Sequence, residues 1–198
     1  VGELDPALRK QAAWASGGRA ELTIVAGSGE TVVRRTIDVE AAAGAFSLRL
    51  PDHGGLAPGE YAVRVQIRPK QDGSLPVGEI ARVIVPAQPS KLGEAVLWRR
   101  GPTTGPRFLT TADPRFQRSE RIKLEHATTG AGSASARMLD RIGSLLQIPV
   151  TLSERQDESG EFRWLVAEAT LAPLAPGNYA IEVALDEGKV VTGFTVVP

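Results

Sequence analysis

The phrase Leu56-Ala57-Pro58-Gly59-Glu60-Tyr61 returns as Leu174-Ala175-Pro176-Gly177-Asn178-Tyr179, a spacing of 118 residues (174 − 56). Proline followed by glycine predicts a type II turn, because proline presets φ at the first central position and glycine accepts positive φ at the second. After each tyrosine, apolar residues alternate with polar or small ones, which predicts a half-buried strand of an antiparallel sheet. The repeat therefore predicts two copies of one β-domain.

The rest of each half contains further alternating segments separated by Gly, Pro, Asn and Asp, about seven short strands in all, which is typical of a β-sandwich. A tyrosine that begins the penultimate strand after a Pro-Gly pair resembles the tyrosine corner of immunoglobulin-like and fibronectin type III domains. That resemblance implies that Leu56 and Leu174 fill the core. It also implies that the hydroxyls of Tyr61 and Tyr179 bond to upstream backbone.

The predicted fold class is all-β, with two tandem immunoglobulin-like (fibronectin type III-like) antiparallel β-sandwiches. The predicted domains are residues 1–88 and 90–198, each close to the usual domain size. Between them, Pro86-Ala87-Gln88-Pro89 predicts a short, stiff linker, since two prolines cannot donate to a strand ladder.

Several local features follow from the same patterns. Asp5-Pro6 predicts a helix N-terminus. Alternation predicts strands through Phe46–Leu50 and through Leu146–Leu152, with Pro149 favouring an edge position. Gly and Pro between residues 101 and 114 predict an irregular segment. The apolar positions change parity between Phe162 and Leu171, which predicts a β-bulge.

Composition excludes several classes of protein. The chain has 198 residues, with 23 basic and 23 acidic side chains and no cysteine. Disulfide scaffolds and Cys-ligated metal sites are therefore excluded. The balanced charge does not favour nucleic acid as a partner, and no apolar run approaches the roughly 18–20 residues that span a bilayer. Because Val1 is not a natural start, we expect a fragment or mature form, with the remainder of its own chain as one partner.

A second resemblance covers nearly the whole chain. It is carried by the segments Leu97–Gly105, Thr111–Phe116 and Ala136–Arg141 and by the Leu-Ala-Pro-Leu-Ala-Pro-Gly-Asn-Tyr run that ends at Tyr179. These resemble the C-terminal region of acidobacterial proteins that carry a von Willebrand factor A-related domain. The resemblance implies an accessory module of a secreted, periplasmic or cell-surface protein. The Asp-x-Ser-x-Ser metal motif of the A domain is absent from this sequence, so no metal site is transferred.

The sequence offers no catalytic set, and we expect neither an enzyme nor a cofactor. No Gly-x-Ser-x-Gly elbow, phosphate-binding loop or dinucleotide fingerprint occurs. The only histidines are His53, in a predicted turn, and His126, which shares the parity of Ile122 and Leu124 and so predicts a structural residue at the end of the core. Histidines in different predicted domains do not favour a Ser-His-Asp system.

Two clusters remain as candidate binding sites. Asp157, Glu158 and Glu161 place three acids in one turn, a weak calcium candidate beside the interpretation as a solvated hairpin tip. The second cluster is a basic segment between residues 99 and 123. It consists of Arg99, Arg100, Arg107, Arg115, Arg118, Arg121 and Lys123, with Trp98 beside it.

The basic segment has two interpretations. Arginine suits sulfate, phosphate and carboxylate groups, so the segment could bind an anionic glycan, a lipid head group or a protein. Alternatively, these arginines pair with acids of their own domain such as Glu154, Asp157 and Glu161. Among the tryptophans, Trp164 is predicted to be core, while Trp14 and Trp98 are open as sugar platforms.

We therefore expect a non-catalytic interaction or structural module outside the cytoplasm, which binds a protein or glycan or displays an attached A-like domain. The alternative is a carbohydrate- or calcium-binding accessory domain of a larger enzyme. Exposed Trp14 or Trp98 beside a groove would favour the alternative. Buried tryptophans and a broad apolar or arginine-rich face would favour the interaction module.

Overall fold

The structure is a computed structural model that describes residues 1–41, 45–51, 55–71, 75–87, 91–102, 104–158, 160, 162–186 and 188–198. These residues form strands and turns with very little helix, and the sheets are antiparallel apart from one short parallel pair. The prediction of an all-β sandwich fold is therefore confirmed. No helix of the described residues is long and apolar enough to cross a membrane. The chain divides into two compact units, Val1–Pro89 (unit 1) and Ser90–Pro198 (unit 2).

Unit 1 is built on a four-stranded antiparallel sheet in the order β3-β2-β5-β6. Its strands are β2 (Gly18–Ala26), β3 (Thr31–Val39), β5 (Gly59–Pro69) and β6 (Val77–Val85). A small antiparallel ribbon joins β1 (Gly2–Glu3) to β4 (Ala45–Phe46). Between β1 and β2 along the chain lie helix α1 (Pro6–Arg9) and a 3-10 turn, Ala12–Trp14.

The core of unit 1 lies between one end of this sheet and the ribbon with its helical turns. Sheet residues Ala20, Leu22 and Ile67 pack there with Trp14 and Phe46. The predicted helix start is confirmed, because the Asp5 side chain accepts a hydrogen bond from the backbone N–H of Ala7 at 2.7 Å. The strand predicted through Phe46–Leu50 is regular only in β4, although Leu48 and Leu50 still pack against the core.

Unit 2 is a sandwich of two five-stranded sheets. The first has the order β13-β14-β10-β7-β8 and the second β12-β11-β15-β16-β9. The first contains β7 (Leu92–Arg100), β8 (Leu109–Thr111), β10 (Arg121–Thr128), β13 (Thr151–Gln156) and β14 (Arg163–Thr170). The second contains β9 (Arg115–Gln117), β11 (Ala134–Leu139), β12 (Leu145–Leu146), β15 (Gly177–Leu185) and β16 (Gly188–Val197).

The strand order of unit 2 is that of the immunoglobulin fold. Strands β7, β10, β14 and β13 occupy the positions of A, B, E and D, and β11, β15 and β16 those of C, F and G. The facing sides of the two sheets bury a single apolar cluster, in which Leu124, Leu165, Ile181 and Val183 are fully buried. Apolar residues at every second position of central strands produce this packing.

The repeated phrase forms the predicted corner hydrogen bonds. The Tyr61 hydroxyl donates to the Ala57 carbonyl oxygen at 2.7 Å, and the Tyr179 hydroxyl donates to the Ala175 carbonyl oxygen at 2.9 Å. Leu174 is buried in the core of unit 2, as predicted, whereas Leu56 is only half-buried.

The predicted type II turn at the Pro-Gly pair is wrong. Gly177 does not have positive φ, and Gly59, at φ 157°, lies far from the value of about 80° that this turn requires. Each glycine is instead the first residue of its strand. A Cβ on Gly177 would lie 3.6 Å from the Tyr179 hydroxyl, an ordinary van der Waals distance, so the tyrosine ring packs directly against the start of the strand.

Three other predictions in unit 2 are corrected. The strand predicted through Leu146–Leu152 is a crossover, with β12 in one sheet and β13 in the other. The irregular segment after Gly101 contains the short strands β8 and β9. The predicted bulge in β14 is wrong, because its register with both β10 and β13 is unbroken. Trp164 is therefore not core: Leu165 and Ala167 face the core, and Trp164 lies on the opposite face.

Candidate functional site

The outer face of the first sheet of unit 2 concentrates charged and aromatic side chains. On β10, Leu124 and His126 point into the core, so Lys123 and Glu125 point outward. The strand register places Lys123 directly between Trp98 of β7 and Glu168 of β14. We call Trp98, Lys123, Glu125, Arg155 and Trp164 the charged–aromatic row.

Within this row each cation contacts both a ring and a carboxylate. The Lys123 ammonium lies 4.2 Å from the centroid of the Trp98 ring and donates to Glu125 at 2.7 Å. The Arg155 guanidinium lies 5.0 Å from the centroid of the Trp164 ring and donates to Glu125 at 2.8 Å. Glu125 thus joins two cation–π pairs, an arrangement that becomes stronger as water is excluded.

Glu125 is 3% exposed, yet it stays ionised. Burial alone would raise the pKa of this carboxyl group. Hydrogen bonds from Arg155 and Lys123, together with their charges, outweigh burial and hold the pKa below its usual value. The row is therefore a fixed ion-pair network in which each charge already has a partner.

The tryptophan rings of this face are not free platforms. Trp98 has Lys123 over its ring, and Trp164 has Arg155 over its ring and Phe162 at 5.2 Å in an edge-to-face contact. The Trp164 Nε1 donates to the Asp157 carboxylate at 2.9 Å. In unit 1, Trp14 is 5% exposed and belongs to the core. Stacking a sugar on either outer ring would require displacing a paired cation.

The predicted basic segment does not form one patch. Arg99 points inward at the end of the sandwich, where its guanidinium lies 5.0 Å from the centroid of the Phe116 ring. The same guanidinium donates to the Thr111 hydroxyl at 3.1 Å and to the Asp113 carbonyl oxygen at 3.0 Å. Arg100 is its neighbour on β7, points to the opposite face and lies 5.0 Å from the centroid of the Phe108 ring. Consecutive strand residues diverge in this way because the side-chain period is 2.

Other predicted cations also have partners in their own unit. Arg115 binds Asp113 through two nitrogens, and this pairing lowers the pKa of the Asp113 carboxyl group. Arg118 donates to the Ala172 carbonyl oxygen at 2.7 Å. Arg107 is exposed.

Four of the seven cations, Arg99, Arg115, Arg121 and Lys123, pair with acids of their own unit, but these acids differ from those expected. Arg121 approaches Glu168 at 3.9 Å and Arg99 approaches Glu120 at 3.7 Å, whereas Glu154 pairs with Arg163. Arg99, Asp113, Arg115 and Glu120 also line a shallow recess of about 280 Å³. Because the charges that line it are two positive and two negative, the recess does not select an anion.

The calcium candidate is only partly described. One oxygen of Asp157 accepts the Trp164 indole N–H, Glu158 is exposed, and Glu161 lies outside the described residues. In the part of the chain that the structure describes, no three His, Asp or Glu side chains gather where they could hold a metal ion.

His126 is the structural residue that its parity predicts. It is fully buried, and its Nδ1 lies 2.8 Å from the Gly93 carbonyl oxygen, so Nδ1 carries the proton in the neutral ring. Burial lowers the pKa of the imidazole more than this hydrogen bond and the charge of Glu94 raise it. His53 lies outside the described residues.

Sequence reasoning missed two features that expose aliphatic side chains. Strand β6 at the edge of unit 1 exposes Ile80 and Ile84, and the β11–β12 hairpin of unit 2 exposes Ile142 and Leu145. Alternation along β6 predicts only a strand. The local pattern does not indicate that this strand lies at an edge, nor that residues 78–84 are exposed on both of its faces.

Comparisons with known proteins identify no relative from which a function could be inferred, so a proposed function depends on the geometric features described above. No protein-family model matches the chain, and no curated protein matches it.

Proposed function

We propose that this chain is a non-catalytic interaction module of an extracytoplasmic protein, and that unit 2 binds a partner polypeptide through the tip of its β11–β12 hairpin. The observation that carries the proposal is that two aliphatic side chains of this hairpin are exposed although the backbone beneath them is ordered by hydrogen bonds. Ile142 is 78% exposed and Leu145 54% exposed. Exposed apolar groups next to a recess are typical of protein-binding surfaces.

The hairpin tip is ordered by its own side chains. The Asp140 carboxylate accepts from the backbone N–H of Ile142 at 3.0 Å and of Ser144 at 2.8 Å, and Gly143 adopts φ 84°, which glycine tolerates without strain. A partner would therefore bind side chains whose backbone is already ordered, which lowers the entropic cost of association.

A recess of about 330 Å³ lies beside the tip. Its lining combines apolar residues with polar ones: Met138, Leu145, Leu146, Ile148 and Val150 together with Arg137 and Gln147. The recess includes Ala136–Met138, part of one segment that resembles the C-terminal region of acidobacterial proteins that carry a von Willebrand factor A-related domain. An A-like domain of that family is therefore the first probe. The occupied tryptophan faces favour a protein over a glycan as partner.

The test compares the wild-type chain with the variant Ile142→Lys, Leu145→Lys. Binding of a recombinant A-like domain is measured by biolayer interferometry, and thermal unfolding is measured with calcium and with neutral and anionic polysaccharides. Val191→Lys is the matched control, since Val191 is 51% exposed on a different strand, β16.

We expect the A-like domain to bind the wild-type chain and the control, and the double variant to lose at least about tenfold in affinity, which is 1.4 kcal/mol. Equal binding by the double variant would contradict the proposal. A rise in unfolding temperature with a polysaccharide or with calcium alone would favour the accessory-domain alternative, because ligand at about 100 times its Kd stabilises a protein by about 2.7 kcal/mol.

A further inference from the structure

Strand β6 differs from the other edge strands of the large sheets. Strands β8, β9 and β12 have only two or three residues, β3 carries three charged side chains, and β13 has six residues of which only Leu152 is apolar. Strand β6 has nine residues, Val77–Val85, most of them apolar or small, and besides Glu79 and Arg82 it contains no charged residue, no proline and no lysine. Natural sheets protect exposed edges by shortness, charge or proline, and an edge without such protection pairs readily with another strand.

The two units differ at this same position. In unit 2 the strand after the tyrosine-corner strand is β16, and β9 pairs with its outer edge in parallel. In unit 1 the corresponding strand is β6. Among the described residues it pairs with β5 alone, so the hydrogen-bonding groups on its other edge face no strand.

We propose that β6 pairs antiparallel with β6 of a second copy of this chain, about a two-fold axis at Ala81. An antiparallel pair that uses all nine residues of both strands places Val77 opposite Val85, so paired residue numbers sum to 162 and the centre falls at residue 81. Isologous two-fold contacts of this kind need only one surface, and they are the commonest route to a dimer.

The side chains of β6 fit this register. Ile84 is 73% exposed, and it would lie opposite Gly78 of the second copy, on the same face of the sheet. Gly78 has no side chain, and with Arg64, Gln66 and Ile80 it lines a recess of about 350 Å³. Ile84 of each copy would enter that recess of the other.

The charges also favour this register. With Ala81 at the axis, Glu79 lies opposite Val83 and Arg82 lies opposite Ile80, so no like charges are directly opposed. A shift that centres the pair on Arg82 would oppose Arg82 to itself. A shift that centres it on Ile80 would leave Ile84 and Val85 facing no residue of the partner strand.

The first experiment measures association of the intact chain by sedimentation velocity, from low micromolar to several hundred micromolar protein. We expect a concentration-dependent monomer–dimer equilibrium. Ile84→Lys should raise the dimer Kd by at least about tenfold, because it would place an ammonium group beside Arg64 in the recess that Ile84 would otherwise fill, while Val191→Lys should leave the Kd unchanged. Circular dichroism of both variants verifies that they fold.

The second experiment tests the register by disulfide cross-linking, which a chain without cysteine permits. The Cα atoms of directly opposed residues in an antiparallel pair lie about 4.5–5.5 Å apart, within disulfide range. Ala81→Cys should therefore cross-link to its copy under mild oxidation. Val85→Cys should not, because eight residues along the strand separate it from its copy by about 27 Å.

A chain that stays monomeric at every concentration would overturn the proposal, as would a dimer that Ile84→Lys does not weaken. Cross-linking by Val85→Cys but not by Ala81→Cys would also overturn it. A monomer that binds a foreign extended peptide in an Ile84-dependent way would show that β6 pairs with another protein and not with a second copy. None of these results bears on the hairpin tip of unit 2, which has its own test.

Discussion

Replacing Glu125 by glutamine is the most direct test of the charged–aromatic row. The substitution keeps the size and shape of the side chain and removes its charge. Glu125 accepts from Lys123 at 2.7 Å and from Arg155 at 2.8 Å, and it is 3% exposed. Glutamine can accept from one of these cations but presents an N–H group to the other, so one charged donor loses its partner.

The expected loss follows from the two contacts. A hydrogen bond to a charged group contributes about 1.5–3 kcal/mol, and breaking a buried ion pair costs about 3–5 kcal/mol. Arg155 reaches solvent, with a side chain 44% exposed, so water compensates part of that cost. We expect Glu125→Gln to lower the free energy of unfolding of unit 2 by about 2–3 kcal/mol, or its Tm by about 8–12 °C.

The assay is urea unfolding followed by tryptophan fluorescence, which Trp98 and Trp164 report for unit 2. The difference between wild type and variant should depend on pH. Because folding lowers the pKa of Glu125, its stabilisation is fully present at pH 7 and is lost as pH falls below about 4.3, the ordinary value, towards the folded pKa. The two unfolding curves should therefore converge in acid.

The matched control is Glu154→Gln. Glu154 pairs with Arg163 with its side chain 46% exposed, so the expected loss is below about 1 kcal/mol. If the free energy of unfolding of Glu125→Gln lay within about 0.5 kcal/mol of the wild-type value at pH 7, Glu125 would behave like a surface charge, and the expected role of its two ion pairs would be refuted. A difference that did not shrink in acid would refute the assignment of the effect to the carboxylate charge.

Three further changes have defined outcomes. Tyr179→Phe should lower the free energy of unfolding by about 1 kcal/mol in urea titrations, because it removes only the hydroxyl that donates to the Ala175 carbonyl oxygen. An unchanged free energy of unfolding would show that this hydrogen bond does not stabilise the fold. As pH falls from 6.5 to 5, the free energy of unfolding should decrease, because folding lowers the pKa of buried His126 and the unfolded chain therefore takes up the proton first. In the same urea titrations His126→Asn, which keeps a donor for the Gly93 carbonyl oxygen, should show a smaller change of this free energy with pH. Gly17→Ala should reduce Tm more than Gly29→Ala. Both glycines have positive φ, but only at Gly17 would the new Cβ collide with a backbone atom, the Val39 carbonyl oxygen. Equal losses of Tm would show that φ alone sets the cost.

The elements that the sequence predicts well are those with a strong local pattern. The strands after Tyr61 and Tyr179 and the helix start at Asp5 lie where alternation or capping places them. Side-chain alternation is a property of a single strand, so it can be recognised before any pairing is known. Crossovers and very short strands have no such pattern. For this reason the single strand predicted through Leu146–Leu152 is in fact two strands in different sheets.

The candidate sites were harder to predict because they depend on neighbours that are remote in sequence. The seven cations of the basic segment lie close together along the chain, but the fold divides them between opposite faces and gives most of them local partners. The charged–aromatic row takes its members from four strands, β7, β10, β13 and β14. No spacing along the chain brings Lys123 beside Trp98 or Arg155 beside Glu125.

The sequence by itself determined that this is an all-β protein with a repeated tyrosine corner, because hydrophobic alternation and a six-residue motif are local signals. Only the tertiary structure decided which face of each strand is buried where both faces are apolar, as at Trp164. It alone decided which strand is left at an edge, as for β6, and which charges meet. These three features depend on strand pairing and register, and the free energy that selects a register comes from contacts between residues that the sequence keeps far apart.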